Sequence, residues 1–219
     1  VVPDPDGTGP GSASEPLTTR YFYDGSGRMT HMLDATGSVT QYTYDSAGNQ
    51  TQRRTFTGGV YDVSGLGVGS VPSATAVNTW ISTQDLTQTE LTVYAYDFRG
   101  QLESTTTWTP LDAAGNGVAG TESVVRMAYD HNGRIIKQIA ARGESTTVAD
   151  YVTAFGYDGL NRITSQVSPE GQSLTTSYTD TEASGTTVSV TSANGLLTVS
   201  TIDRAGRLIS VNRSAGASD

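Results

Sequence analysis

The stretch YFYDGSGRM, Tyr21 to Met29, places three aromatic residues against a turn of Asp24, Gly25, Ser26 and Gly27 and closes on Arg28. In D-x-x-G, Asp takes the first position of a type I turn, where its carboxylate accepts backbone N–H groups. Gly takes the fourth, in the left-handed conformation that penalises a Cβ. Such a turn makes a three-residue hairpin loop with a bulge, whose twist matches the strands it joins. Tyr23 and Asp24 therefore end one strand, and the residues after Gly27 begin its partner. Variants return as YTYDSAGNQ from Tyr42, YAYDFRGQL from Tyr94, MAYDHNGRI from Met127, FGYDGLNRI from Phe155 and STIDRAGRL from Ser200.

The six aspartates, Asp24, Asp45, Asp97, Asp130, Asp158 and Asp203, lie 21, 52, 33, 28 and 45 residues apart. Residues one and three places before each Asp share a strand face. They pair Tyr21 with Tyr23, Tyr42 with Tyr44, Tyr94 with Tyr96, Met127 with Tyr129, Phe155 with Tyr157, and Ser200 with Ile202. Beyond the turn, Met29, Leu102, Ile135, Ile163 and Leu208 are placed to stack on a neighbouring unit. The structural repeat motif thus comprises Tyr23, Asp24, Gly27 and Arg28; Tyr44, Asp45 and Gly48; Tyr96, Asp97 and Gly100; Tyr129, Asp130, Gly133 and Arg134; Tyr157, Asp158 and Arg162; and Asp203, Gly206 and Arg207. Twelve Arg against the single Lys137 suit a geometric role, the forked guanidinium reaching a turn carboxylate in its own or an adjacent unit.

Weaker turns, LDATGSV from Leu33 and VSPEGQS from Val167, sit half-way through some units, so a full unit is two strands with two turns. The excess lengths at 55–92, 104–124, 140–153 and 175–198 read as longer loops or extended hairpins. Gly58, Gly59, Gly65, Gly67 and Gly69 mark the first as flexible. Residues 1–19 read as a Pro- and Gly-rich linker, 20–213 as the repeat segment and 214–219 as a tail. The fold expected is all-β, built of antiparallel hairpins.

Composition agrees. Charged residues are 16% of the 219, Ser and Thr make up about a quarter, and Gly numbers 25, a profile suited to a secreted, turn-rich β-protein. The net charge of −9 lacks the cationic field that phosphate neutralisation requires, so nucleic acid is not an expected partner. No apolar run approaches the roughly 20 residues of a membrane helix. There is no Cys to form a disulfide or a thiolate. Without an initiator Met the chain is expected to be part of something longer.

Units of Y-D-x-x-G-R-[L/I] at irregular spacing resemble the YD repeats of the Rhs family, found in bacterial polymorphic toxins, the C components of insecticidal ABC toxins and animal teneurins. The resemblance runs from about Arg20 to Val211, with Asn49 and Gln101 departing from the Arg, Asn161 from the Gly and Ile202 from the Tyr. It implies hairpins stacked into a spiral, shell-like sheet, which in the toxins encloses a C-terminal effector, with repeats that are not catalytic. The expected function is a non-enzymatic scaffold from the bacterial cell surface or exterior, needing no cofactor or metal. Its expected partners are the remaining repeats of a longer chain and other copies, joined through open sheet edges as dimers or filaments.

Four other readings compete. Paired carboxylates serve glycoside hydrolysis, but an active site is needed once and this motif recurs. His31 and His131 lie in different units with no nucleophile or second metal ligand at a recognisable spacing. Asp4, Asp6, Thr8, Gly9 and Glu15 fall at calcium-loop positions, with Gly11 where an apolar residue belongs and prolines in place of helices. Exposed Tyr faces also suit stacking on sugars, giving an alternative as an adhesion module that binds glycans.

Overall fold

The computed structural model describes residues 17–141, 151–182 and 185–215. Most of the expected linker, all of the calcium-like stretch and the end of the tail lie outside them. The strands are β1 (Arg20–Tyr23), β2 (Met29–Leu33), β3 (Val39–Tyr44), β4 (Gln50–Phe56), β5 (Thr89–Tyr96), β6 (Leu102–Trp108), β7 (Glu122–Tyr129), β8 (Ile135–Ile139), β9 (Val152–Tyr157), β10 (Ile163–Val167), β11 (Ser173–Thr181), β12 (Gly185–Thr191), β13 (Leu197–Ile202) and β14 (Leu208–Ser214). They form one antiparallel sheet whose order follows the chain from β1 to β14. The chain divides into two compact units: residues through Ala95 with Thr106–Glu122, and Tyr96–Thr105 with the residues from Ser123 onward.

Ten turns share one hydrogen-bond pattern, starting at Asp24, Asp34, Asp45, Asp97, Asp112, Asp130, Asp158, Ser168, Ser192 and Asp203. In each, the first N–H donates to the carbonyl four residues on, and the fourth N–H donates back to the first carbonyl. The fourth residue has positive φ in every case, 81° at Gly133 and 64° at Asn161, the one described non-glycine residue in that region. Asn tolerates this conformation because its short side chain bonds locally. The turns at Asp112 and Ser192 add to those expected.

The Tyr–Asp hairpins carry a second irregularity. Tyr23 pairs with Met29 but Phe22 with His31, leaving Thr30 extra. Thr51, Ile136, Thr164 and Ile209 are extra in the same way. The hairpins turned at Asp34 and Ser168 pair without a shift. A bulge leaves its extra residue out of the ladder and increases the local twist.

The segment at 55–92 corrects an expectation: it is neither a hairpin nor an open loop. It contains α1 (Ala74–Ser82) and a 3₁₀ turn at Leu86–Gln88. The Ser73 hydroxyl caps α1 by accepting the Ala76 N–H at 3.1 Å. Val77, Trp80 and Ile81 recur at helical spacing and turn one stripe onto the sheet. There Val77 joins Phe22, Leu33, Val39 and Phe56 in the core, with Trp80 edge-on to Phe56 at 5.7 Å. Burying such a side chain contributes roughly 1.5–3 kcal/mol. Two buried arginines tie loops to the same face. Arg20 donates to the carbonyls of Ser70 and Gly67, and Arg54 to that of Gly115 and to the Thr89 hydroxyl. Two of the glycines there are tied: the Gly58 N–H donates to the Gln88 carbonyl, and the Gly67 carbonyl accepts from Arg20.

Candidate functional site

The repeated turn is the feature with most chemistry in it, and the unit around Asp130 shows its parts. One carboxylate oxygen, Oδ1, accepts the N–H groups of Asn132 at 2.9 Å and Arg134 at 3.0 Å. The other, Oδ2, accepts Arg134 Nε at 2.7 Å. From that anchored position Arg134 NH1 donates to the Asp158 carbonyl of the next turn at 3.1 Å. Its guanidinium carbon lies 4.7 Å from the centre of the Tyr157 ring, well placed for cation–π attraction. The Tyr157 hydroxyl donates back to the Ile135 carbonyl at 2.7 Å, beside the bulged Ile136. Two successive turns are thus clasped by three contacts running through one Arg and one Tyr.

The same clasp recurs at Arg28 and, in part, at other repeats. Arg28 binds Asp24, reaches the Asp45 carbonyl and covers Tyr44 at 5.1 Å, while the Tyr44 hydroxyl donates to the Met29 carbonyl. Tyr129 donates to the Leu102 carbonyl. Gly27, Gly48, Gly100, Gly133 and Gly206 all supply the positive φ of their turns. Asp203 is capped by the Ala205 and Arg207 N–H groups and binds Arg207 Nε at 2.7 Å. Tyr23 is the exception, solvent-exposed with no hydrogen bond or arginine contact among the described residues.

These carboxylates are held ionised. The N–H four residues on keeps Asp24, Asp97, Asp130, Asp158 and Asp203 below the usual carboxylate range. For Asp45 the Asn49 amide is the leading cause. A carboxylate bound in this way serves its turn and is poorly suited to donate a proton as a general acid. No cluster of three or more His, Asp and Glu suited to a metal occurs among the described residues. No described helix is long and apolar enough to cross a membrane.

A family model described as RHS Repeat matches residues 23–60 and 129–173, two stretches that each contain one of these clasps. Over those two stretches the chain matches the RHS repeat. Among solved structures it is similar to the Photorhabdus luminescens Tc holotoxin pore with a mutated TccC3, at 19% identity over 87% of this chain and 10% of that one, TM-score 0.41. It is also similar to a TcdB2–TccC3 crystal structure, at 18% identity over 92% and 9%, TM-score 0.34, and to one without the hypervariable C-terminal region, at 13% over 91% and 12%, TM-score 0.34. The chain thus spans about a tenth of the length of these structures. No curated protein matches it at a significant level.

Three parts of the RHS-repeat ladder are absent from the motif as read from sequence. Arg99, inside its turn, does the work expected at Gln101, binding Asp97 at 3.3 Å and donating to the Asp130 carbonyl at 3.2 Å. Gln101 itself reaches the Gly133 carbonyl. Asn49 binds Asp45 Oδ2 at 2.9 Å, a local substitute for Arg. Tyr178 and Asp180 form a rung without adjacent Tyr and Asp: Arg162 lies 4.2 Å over Tyr178 and binds the Asp180 carboxylate at 2.8 Å, and the Tyr178 hydroxyl reaches the Ile163 carbonyl. Where Ile202 replaces Tyr, a surface cleft of about 650 Å³ lies between Tyr178, Asp180, Val188 and the Asp203 turn. The signal for Tyr178 was alternation within β11, two residues before an acid.

Proposed function

We propose that this chain is a stretch of wall in a larger RHS-repeat shell outside the bacterial cell, and that it performs no catalysis of its own. The observation that carries the reading is the clasp: at Arg28 with Tyr44, Arg134 with Tyr157 and Arg162 with Tyr178, acid, guanidinium and aromatic ring are committed to holding one repeat to the next. Residues so used form a surface whose purpose is extent. The solved structures it resembles are parts of toxin complexes, and a wall enclosing a passenger polypeptide fits that company. The test is made in the parent protein. Sequence following the repeats should resist added protease while the sheet is intact and be cut once urea unfolds it. Cleavage at equal rates in both states argues against a wall. Screening the chain against glycosides, esters and peptides should give no turnover, and a turnover abolished by Asp130→Asn in a folded variant would overturn the non-catalytic part.

A second reading, an adhesion module, has one observation in its favour: Tyr21 and Tyr23 present exposed rings on β1. Glycan binding lost in Tyr21→Ala and Tyr23→Ala would favour it.

A further inference from the structure

The insertion at 55–92 closes over a histidine that has no counter-charge. His31, on β2, is 5% exposed and stands in a cross-strand row with Phe22, Gln41 and Arg54, on the face that α1 covers. The Thr30 hydroxyl donates to the Phe22 carbonyl at 3.3 Å, so its oxygen accepts Nδ1–H from His31 at 3.1 Å. That bond selects the neutral tautomer and leaves Nε2 as the bare nitrogen. Nε2 is buried and has no hydrogen-bond partner, although α1 brings the Asn78 amide towards the ring. The Phe22 ring stands edge-on at 6.1 Å.

The elements around it offer a proton at Nε2 no anion. β1 sends Arg20 to this face and β4 sends Arg54, both buried cations bonded to carbonyls and a hydroxyl. Gln41 of β3 and Leu91 of β5 are neutral, while Tyr42 and Glu90 alternate to the opposite face. α1 has no ionisable residue, and the Tyr61 ring packs on Trp80. The nearby turn carboxylates are spent on their own loops, Asp34 on Thr36 and Ser38, Asp62 on Ser64, and Asp85 on Thr87. Among the described residues no ion pair reaches His31.

We propose that His31 is a proton-operated latch on the insertion: neutral, it packs shut beneath α1, and protonated at Nε2 it releases α1 and bares the face of Phe22, Leu33, Val39 and Phe56. A buried, unpaired imidazolium is costly, and two guanidiniums on the same face add repulsion. Lifting α1 hydrates Nε2–H and removes both costs. α1 is the element that yields, because its sequence is weakly helical and it is held by the packing of Val77, Trp80 and Ile81. Opening takes up one proton, so closure is complete above the ordinary pKa of 6.5 and weakens as pH falls below it, the open population rising by up to about tenfold per pH unit.

The experiment follows amide protection of residues 74–82 in the 219-residue chain from about pH 8 to about pH 5, corrected for intrinsic exchange, with β9 as internal reference. Protection of 74–82 should fall by up to about tenfold per pH unit below 6.5 while β9 keeps its own. Imidazole nitrogen NMR at neutral pH should show His31 protonated at Nδ1 and bare at Nε2. His31→Gln should remove the fall. Asn78→Asp, which sets a carboxylate against the ring to pair with the imidazolium, should keep the insertion closed across the range. Circular dichroism checks folding, and if His31→Gln does not fold, Asn78→Asp decides alone. Protection of 74–82 that does not change with pH overturns the proposal, as does a fall that His31→Gln leaves in place or that Asn78→Asp does not shift, or a neutral tautomer protonated at Nε2.

Discussion

The first compact unit buries a core under an insertion, whereas the second is held by its turns. Phe22, Leu33, Val39, Phe56, Val77, Leu91 and Leu111 are buried in the first; among the described residues of the second only Ile139 is a buried hydrophobic. The second compensates with clasps in close succession, at Arg99, Arg134 and Arg162. The same hairpin therefore reaches stability by two routes. Where 55–92 supplies a cover, burial does most of it. Where no described cover exists, Arg99, Arg134 and Arg162 tie one rung to the next.

The sharpest break in this comparison comes from truncating the covered core. Leu33→Ala removes a side chain with no solvent exposure and should cost about 3 kcal/mol, read as a shift of the urea midpoint. In the second unit the largest effect should fall on a turn. Gly133→Val forces a branched residue to a φ of 81° and brings Cβ to 2.9 Å from Gln101 Nε2, for about 2 kcal/mol. Unchanged melting of that variant would show that the turns are not what holds the unit. Smaller still, Tyr157→Phe keeps the ring beneath Arg134 and removes only the bond to the Ile135 carbonyl, about 1 kcal/mol.

Acid should separate the units most finely. Burial lowers the pKa of His31 on the covered face, although the Asn78 amide opposes this. A lowered folded value means stability that is complete above the ordinary 6.5 and declines as pH falls below it. The turn carboxylates of the second unit, Asp130, Asp158 and Asp203, are lowered from 3.8, so their contribution holds until pH falls below that value. Amide protection in β2, corrected for the slowing of intrinsic exchange in acid, should therefore fall between pH 6.5 and 4 while that of β9 and β10 is kept, and His31→Gln should abolish the difference. An equal fall in both would remove the distinction.

What was legible in the sequence was local chemistry. Asp and Gly at fixed separation specify a turn whatever surrounds them, so the hairpins at Asp24, Asp45, Asp97, Asp130 and Asp203 could be read directly. The helix was harder: Ala74–Ser82 is rich in Thr, Asn and Val, weak helix formers, and its Ser73 cap and apolar stripe count only once the sheet offers something to pack on. The bulges at Thr30 and Ile136 leave no residue signature, since Thr and Ile are ordinary strand residues. Arg99 escaped because the clasp needs a guanidinium in a place, and two different backbone positions can deliver it there.

Strand order that follows chain order has a consequence for synthesis. Each strand from β2 onward has its first partner next to it in strand order, so most pairings close a tight turn, and the longest closure spans the helix-bearing insertion between β4 and β5. A sheet of this order can add hairpins as they emerge, with Arg28, Arg99 and Arg134 each holding the Tyr–Asp turn that follows. The growing end is always an open edge, and the newest tyrosine is what the preceding arginine captures next.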